Sequence, residues 1–123
     1  MEATNSQRPT NVVSAEVYDD GCLRVEYDNY FVACKGHCLD LKRTEFLLVS
    51  RLTRNIERVV TFQALWEHAW PPAKALNLAS LHVYMYKVRR KIAGCGLRID
   101  NMINVGYSLG HGECCARCQN RER

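Results

Sequence analysis

One apolar seam constrains the fold of this 123-residue chain more than any other feature. Its members recur at alternating spacings of three and four residues, the repeat of a helix with one buried face, and they are Leu78, Leu81, Met85, Val88 and Ile92. Asn77 or Ser80 can cap the start of this helix, and Gly94 and Gly96 stop it. The opposite side of the same helix is basic and aromatic, with Ala79, Val83, Tyr86, Lys87 and Arg90.

Short strands are predicted on both sides of the helical region. Residues 15–41 alternate apolar and polar side chains between turn signals, a pattern typical of three or four antiparallel strands. So small a sheet must lay its apolar face on the helices that follow. A hairpin is predicted over residues 97–109, turning near residues 104–106.

Two further helices are predicted between the strands and the seam-bearing helix. Thr44 begins the first, and Asn55 is expected to close it in the left-handed conformation. Val59 and Val60 form a short extended link, after which Thr61 is the N-cap of a helix over residues 62–70 that two prolines end. Strands, three helices and a hairpin are the order of an α+β winged helix-turn-helix domain, in which the last helix lies in the DNA major groove.

The charge of the chain is concentrated around the third helix. Residues 1–73 carry 8 basic and 10 acidic side chains, whereas residues 74–123 carry 9 basic and 3 acidic ones, so the net charge of +4 comes from the C-terminal half. No Asp or Glu occurs over residues 68–99, which hold six Lys or Arg. Such a stripe indicates a polyanionic partner, and a solvated helix face explains it about as well.

Four blocks of sequence are more specific than this order of elements. They are LKRTEFLL (41–48), ERVVTFQAL (57–65), HVYMYKVRRKI (82–92) and GYSL (106–109), with Trp70 between them. Together they closely resemble the effector domain of OmpR/PhoB-type response regulators, over about residues 15–110. The resemblance implies a four-stranded N-terminal sheet, a winged-helix core and a C-terminal hairpin, and with them a sequence-specific DNA-binding transcriptional regulator.

The resemblance also implies how the chain is divided. A flexible arm over residues 1–14 and a Cys-rich flexible tail over residues 111–123 would flank the DNA-binding domain at residues 15–110. No room exists before Ala15 for the receiver domain of this family, so a fragment and a free-standing domain both stay open. The alternative function is a protein-interaction module that docks the same helix face on polymerase or a signalling partner.

Carried over by position, the resemblance implies a set of DNA-facing residues. On the recognition helix, about residues 78–92, it places Ser80, Val83, Tyr84, Tyr86, Lys87, Arg89 and Arg90. Lys87 is the leading candidate to contact guanine and Val83 a thymine methyl, while Arg89 and Arg90 would hold phosphates. Elsewhere, Thr61 and Phe62 would offer backbone N–H groups to a phosphate, Trp70 would donate its indole N–H, and Asn101 and Asn104 lie in the wing.

Two departures from the family pattern bear on affinity. The wing has Ile103 where family members often have an arginine that enters the minor groove, and Tyr84 and Tyr86 replace arginines of the recognition helix. Each lost phosphate contact lowers the salt dependence of binding by about one unit of slope. We therefore expect modest affinity for double-stranded DNA as a monomer, with a homodimer on DNA or a partner supplying the rest. Residues 71–77 match the loop that can touch RNA polymerase in this family.

Seven cysteines are many for a cytoplasmic domain. His111, Cys114, Cys115 and Cys118 are candidate ligands of a soft metal, and Cys34, His37 and Cys38 form a second group across a turn. The competing interpretations are reduced, buried thiols that pack as small apolar groups, and a redox-sensitive tail. Adjacent cysteines are not the usual zinc spacing, so no cofactor is expected.

Other classes of function find little support in the sequence. His68 and His82 are expected to be packing or solvated residues, and no catalytic grouping of Ser, His and carboxylates can be argued, so the chain is not expected to be an enzyme. A secretory signal and an apolar run long enough to span a bilayer are both missing, so we expect a cytoplasmic protein without a membrane partner.

Overall fold

The computed structural model describes residues 16–111, which fold into two small sheets and three helices. In chain order the elements are β1 (Val17–Asp19), β2 (Leu23–Glu26), β3 (Phe31–Cys34), β4 (His37–Cys38), α1 (Arg43–Arg54), β5 (Val59–Thr61), α2 (Phe62–Ala69), α3 (Leu78–Ile92), β6 (Leu97–Met102) and β7 (Gly106–His111). This is the predicted winged helix-turn-helix order. None of the helices in residues 16–111 has the length and apolarity needed to cross a membrane.

The N-terminal sheet is an antiparallel meander in the order β1–β2–β3–β4, which confirms the predicted strands. β2 buries Leu23 and Val25 and exposes Arg24, because successive side chains of a strand point to opposite faces. Tyr30, in the turn between β2 and β3, stacks on Phe46 of α1 with 4.7 Å between the ring centroids. The sheet therefore shares its core with the helices, as its small size requires.

Local capping explains where α1 and α2 begin. The carboxylate of Glu45 accepts the backbone N–H of Lys42 at 2.9 Å, so a group in the first turn of α1 satisfies the residue before the helix. The hydroxyl of Thr61 accepts the backbone N–H of Ala64 at 3.1 Å, which confirms the predicted N-cap of α2. These two caps fix the first residues of α1 and α2, both of which contribute buried side chains to the core.

The predicted end of α1 is wrong in one detail. Asn55 follows α1 with φ −124° and ψ 42°, not in the left-handed conformation, and its backbone N–H donates to the carbonyl of Leu52. The left-handed residue is Glu57, at φ 66°, and its N–H donates to the carbonyl of Leu109 in β7 at 2.8 Å. Pairing with the C-terminal sheet, which the local sequence does not reveal, shifts the left-handed residue from position 55 to position 57.

The seam of α3 lies in the core, with one exception. Asn77 caps the helix by accepting the N–H of Ser80 at 3.1 Å, and Leu81, Met85, Val88 and Ile92 are buried as predicted. Leu78 is 42% exposed, so its assignment to the core is wrong. It is the first residue of α3 and lies ahead of the turns that pack against the other helices.

The C-terminal sheet has the order β5–β7–β6. The link that was expected to be merely extended is a strand, since Val60 pairs with Tyr107 of β7. β6 and β7 form the predicted hairpin, and Asn104 adopts a left-handed conformation in its turn, at φ 65°. β7 runs to His111, one residue beyond the predicted domain boundary, while the predicted N-terminal arm and residues 112–123 of the tail lie outside the described residues.

Two contacts fix the C-terminal end of α3. Cys95, three residues after the end of α3, forms a disulfide with Cys34 of β3, with 5.4 Å between the Cα atoms. The expectation of reduced thiols is therefore wrong for this pair, which only the tertiary fold brings together. One turn earlier, the ammonium of Lys91 lies 2.7 Å from the buried carboxylate of Glu45. The helix is thus tied to the N-terminal sheet and to the start of α1.

Candidate nucleic-acid interface

The outer face of α3 presents apolar, aromatic and cationic side chains to solvent. Val83 and Tyr86 are 51% and 57% exposed, and Lys87 and Arg90 are exposed beside them. The buried seam on the opposite side leaves these side chains no role in the core, because residues three and four apart share a helix face. The predicted division of α3 into a buried and a solvent-facing side is confirmed.

Each exposed cation on this face lies near a tyrosine. The ammonium of Lys87 is 5.1 Å from the ring centroid of Tyr84, and the guanidinium of Arg90 is 5.8 Å from that of Tyr86. Arg90 also donates to the Tyr86 hydroxyl at 3.2 Å. Such cation–π contacts at exposed sites are weak, so they orient the cations along the helix and leave their N–H groups able to bind an anion.

Arg89 differs from its neighbours on α3. Its guanidinium donates to the backbone carbonyl of Ile99 in β6 at 2.9 Å, which attaches the helix to the wing hairpin. The resemblance implied a phosphate contact for Arg89. Arg89 is also exposed, but part of its donor capacity serves the fold, whereas Lys87 and Arg90 contact tyrosines of the same helix.

An aromatic stack supports the start of α3. Trp70 stacks on Trp66 with 4.0 Å between ring centroids and 9° between ring planes, and it forms an edge-to-face pair with Tyr84 at 5.3 Å between centroids. The indole N–H of Trp66 donates to the carbonyl of Lys74 at 2.9 Å, which holds the loop between α2 and α3. Trp70, Tyr84 and Ser80 line one depression of about 310 Å³ beside this loop. Three residues that the resemblance placed at the DNA surface are therefore neighbours.

The start of α2 is joined to the wing. The backbone N–H of Phe62 donates to the carbonyl of Val105 at 3.1 Å, so the expectation that this group is free for a phosphate is wrong. The Phe62 ring packs against His82 at 5.5 Å and Tyr107 at 5.8 Å between centroids. Tyr107 and His82 are hydrogen-bonded to each other, and burial raises the pKa of Tyr107. Thr61, which caps α2, is exposed next to this cluster.

The tip of the wing carries the two predicted asparagines and three apolar side chains. Asn101, at the end of β6, and Asn104, in the turn, are both exposed. Met102, Ile103 and Val105 are exposed as well, and Ile103 most of all, at 79%. Sequence reasoning identified the missing arginine here but not that the apolar residues form one exposed cluster. The adjacent Met102 and Ile103 in a turn segment were the signal for it.

The candidate metal ligands are not assembled within residues 16–111. Both ring nitrogens of His111 face carboxylates, Nε2 at 3.2 Å from Asp20 and Nδ1 at 3.3 Å from Glu57. Cys34 is bonded to Cys95, which removes it from the group with His37 and Cys38, of which Cys38 is a free, exposed thiol. Residues 16–111, the part that the structure describes, hold no group of three or more His, Cys, Asp or Glu side chains that could bind a metal ion. Cys114, Cys115 and Cys118 lie outside this part.

Comparison with known proteins gives a consistent family. Residues 36–109 match the family described as "Transcriptional regulatory protein, C terminal". The sensory transduction protein RegX3 of Mycobacterium leprae is 30% identical over 100 residues, which cover 79% of this chain and 50% of that protein. The transcriptional regulatory protein VxrB of Vibrio cholerae is 28% identical over 105 residues, covering 85% of this chain and 40% of that protein.

Solved structures agree with the sequence matches. The response regulator DrrB of Thermotoga maritima, an OmpR/PhoB homologue, superimposes with a TM-score of 0.66 at 25% identity, covering 76% of this chain and 44% of that one. The DNA-binding domain of AdeR, solved in complex with an intercistronic region, superimposes with a TM-score of 0.65 at 21% identity. The match covers 78% of this chain and 99% of that one, and it shows a similar fold. The chain spans half the length, or less, of RegX3 and VxrB.

Proposed function

Because the chain belongs to the family of transcriptional regulatory protein C-terminal domains, the DNA-binding domains of OmpR/PhoB type, we propose that α3 enters the major groove of double-stranded DNA and reads its sequence. The outer face of α3 carries this proposal. It is exposed, free of acidic residues and held by a buried seam on its other side. A major groove about 12 Å wide admits such a helix.

The geometry favours particular roles for the side chains of α3. Lys87 can donate to guanine N7 or O6, and the methyl groups of Val83 can contact a thymine methyl. Arg90 and Tyr86, linked by their hydrogen bond, form a donor pair at the phosphates that flank the groove. Arg89 is assigned a smaller share of the binding free energy because it already donates to Ile99. Ser80 and Tyr84 are assigned to contacts with the DNA backbone near the start of α3.

Residues outside α3 would complete the contact with the DNA backbone. Thr61 is exposed at the start of α2, which its hydroxyl caps, and the next residue, Phe62, is bonded to Val105 of the wing. The indole N–H of Trp70 is assigned to a phosphate, since its ring lies beside Ser80 and Tyr84 around one depression. Asn101 and Asn104 extend the contact into the wing.

The proposal is tested by selecting bound sequences from a random DNA pool and measuring binding across a salt series. We expect one preferred sequence, and a repeat of it spaced by about 10 base pairs would identify a homodimer on DNA. Lys87→Ala combined with Arg90→Ala should weaken binding to the selected duplex at least tenfold and make the salt dependence shallower by about one to two units of slope.

A control variant separates specific contacts from loss of charge. Arg24→Ala combined with Arg54→Ala removes the same charge from exposed ion pairs near the N-terminal sheet, where pairs contribute little to stability. That variant should bind DNA like the unaltered chain. Equal binding by the Lys87 and Arg90 variant and the unaltered chain would reject the assignment of α3 as the recognition helix.

We infer three further properties on the same basis. RNA polymerase contacts the loop over residues 71–77, where Pro71, Pro72 and Lys74 line a depression of about 280 Å³ with Gln63 and Trp66. The protein acts in the bacterial cytoplasm and has no catalytic activity. Co-purification of polymerase with the unaltered chain, lost with Lys74→Ala while DNA binding is retained, tests the first of these. Retained polymerase would contradict it.

A further inference from the structure

The Cys34–Cys95 disulfide is attached to the chain at the junction between α3 and the wing hairpin. Cys95 is the last residue of a short 3₁₀ turn, Ala93–Cys95, that follows α3. Gly96 then turns the chain at φ 79° into β6, which begins at Leu97. The disulfide therefore fixes to β3 of the N-terminal sheet both of the elements that the proposed function places on DNA.

Hydrogen-bonded side chains hold the same junction without a covalent bond. Arg89 of α3 donates to the carbonyl of Ile99 in β6 at 2.9 Å. Lys91 donates to the carbonyl of Asp40 at 2.9 Å and pairs with Glu45 at 2.7 Å. Because water competes for the exposed members of these contacts, they restrain the junction less than a covalent link does. Opening the disulfide should therefore loosen the junction while these contacts and the core keep the domain folded.

The two halves of the disulfide differ in their access to solvent. Cys95 is 0% exposed, whereas Cys34 is partly exposed at the end of β3, and residues 35–38 after it are all exposed. His37 lies directly opposite Cys34 in the strand ladder, so its imidazole is on the same face of the sheet. Imidazole groups beside a cysteine favour thiol–disulfide chemistry. A thiol reagent should therefore attack the disulfide from the side of Cys34.

We propose that the Cys34–Cys95 disulfide is a reversible redox control of DNA binding, and that the oxidised form is the one that binds tightly. This inference rests on the proposed function, in which α3 reads DNA in the cytoplasm. Disulfides of cytoplasmic proteins are in most cases transient and either catalytic or redox-sensing, in contrast to the permanent ones of secreted proteins.

The chemistry is an exchange with a dithiol. One thiolate of the dithiol bonds to Sγ of Cys34, the bond to Cys95 breaks, and Cys95 takes up a proton. The second thiolate then attacks the mixed disulfide and releases Cys34 as a thiol. The protein gains two electrons and two protons, and the dithiol is oxidised to its disulfide. The oxidised dithiol closes the bond by the reverse steps.

The oxidised form should bind DNA about five- to tenfold more tightly, because its contact surface is ordered before binding. Linkage requires the converse. A saturating duplex should raise the ratio of oxidised to reduced protein by the same factor at a fixed ratio of reduced to oxidised dithiol. A disulfide that only stabilises the fold would leave the affinity of the folded protein, and hence this ratio, unchanged.

Titrating the full chain with mixtures of reduced and oxidised dithiothreitol, with and without the selected duplex, tests the proposal. Mass spectrometry after thiol alkylation measures the disulfide, fluorescence anisotropy the affinity, and circular dichroism the fold. The affinity should fall as the disulfide opens and recover on reoxidation. Cys34→Ser combined with Cys95→Ser should bind like the reduced chain in every mixture. Cys38→Ser, which alters a free and exposed thiol, should respond like the unaltered chain.

The outcomes separate this inference from the proposed function. If opening the disulfide leaves the affinity unchanged while the Lys87 and Arg90 variant loses binding, the redox control is wrong and the role of α3 stands. If neither redox form selects a duplex, both proposals fail. A response that persists in the double serine variant would place the control at other cysteines. Loss of the circular dichroism signal as the disulfide opens would show a role in stability alone, and either result overturns the proposal.

Discussion

At the scale of single residues, Glu45 is the buried charge on which the packing of α1 against α3 depends. Its side chain is 1% exposed, and it accepts hydrogen bonds from the Lys91 ammonium at 2.7 Å and the Lys42 backbone N–H at 2.9 Å. Burial raises the pKa of this carboxyl, but the two hydrogen bonds outweigh burial, and the pKa of Glu45 lies below its usual value. The carboxylate is therefore charged in the folded protein at neutral pH.

Replacing Lys91 with Met should lower the free energy of unfolding by about 1.5–3 kcal/mol at pH 7, because it leaves a buried carboxylate without its charged donor. The folded-state pKa of Glu45 is lower than the unfolded one, so the stability gained from its ionisation is complete above the unfolded-state pKa. It is lost as the pH falls through the folded-state pKa. The difference between Lys91→Met and the unaltered chain should therefore narrow in acid.

Urea unfolding between pH 7 and pH 3 measures this difference, which is expected to shrink near and below about pH 4. Arg90→Met is the control, because Arg90 is an exposed cation of the same helix whose side chain contacts Tyr86 and, within residues 16–111, no carboxylate. It should change stability little at any pH. If the loss of stability in Lys91→Met stayed constant over this pH range, the ionised Glu45 carboxylate would not be its cause.

The exposed and buried sides of α3 could be predicted residue by residue, whereas the partners of its side chains could not. Val83 and Lys87 are exposed because the helical repeat places them opposite Met85 and Val88. That Arg89 donates to Ile99 depends on where β6 lies, and no local pattern gives the position of a strand ten residues away in the chain. Leu78 was misplaced because the repeat cannot show where the core begins.

At the scale of elements, the sequence predicts the local hairpin but not the pairing of the distant strand β5. The pattern identified the hairpin of β6 and β7, since alternation and a turn signal occur together there. β5 is only three residues long, and its membership of the sheet comes from pairing with β7 across 47 residues, as between Val60 and Tyr107. A segment this short has no alternation of its own to indicate a strand.

The close approach of β5 and β7 leaves no room for a side chain at Gly106. A Cβ at this position would lie 2.0 Å from the carbonyl oxygen and 2.7 Å from the carbonyl carbon of Val60, so the backbone of one strand would have to shift. Gly106→Ala should therefore lower the free energy of unfolding by at least about 1–3 kcal/mol and displace the wing. Thermal unfolding and the amide NMR shifts of β5 and β7 measure these effects.

Gly94 provides the matched control for this substitution. A Cβ at Gly94 meets no atom within 4 Å, so Gly94→Ala makes the same change of side chain without a clash. It should leave both stability and the spectrum of the wing close to those of the unaltered chain. Equal behaviour of the two variants would show that β5 and β7 are not held as closely as the structure has them.

At the scale of the whole molecule, long-range links join the two sheets to each other and to the end of α3. His111 at the end of β7 lies between Asp20, near the N-terminal sheet, and Glu57, before β5. Cys34 and Cys95 are linked across 61 residues. The order of elements follows from local patterns, and these links do not, because seven cysteines allow many pairings and only the packed fold selects one.

The disulfide between Cys34 and Cys95 should contribute to the stability of the whole domain. A cross-link that closes a loop of 61 residues restricts the unfolded chain, so reduction should lower the free energy of unfolding by about 2–4 kcal/mol. Urea unfolding with and without dithiothreitol measures it. Cys34→Ser combined with Cys95→Ser should match the reduced protein and respond no further to reductant, while Cys38→Ser, which alters a free and exposed thiol, should leave the effect intact. If reductant still destabilised the double variant, the effect would come from other cysteines. The Cys34–Cys95 disulfide would then not be the link that stabilises the packing of α3 on the N-terminal sheet.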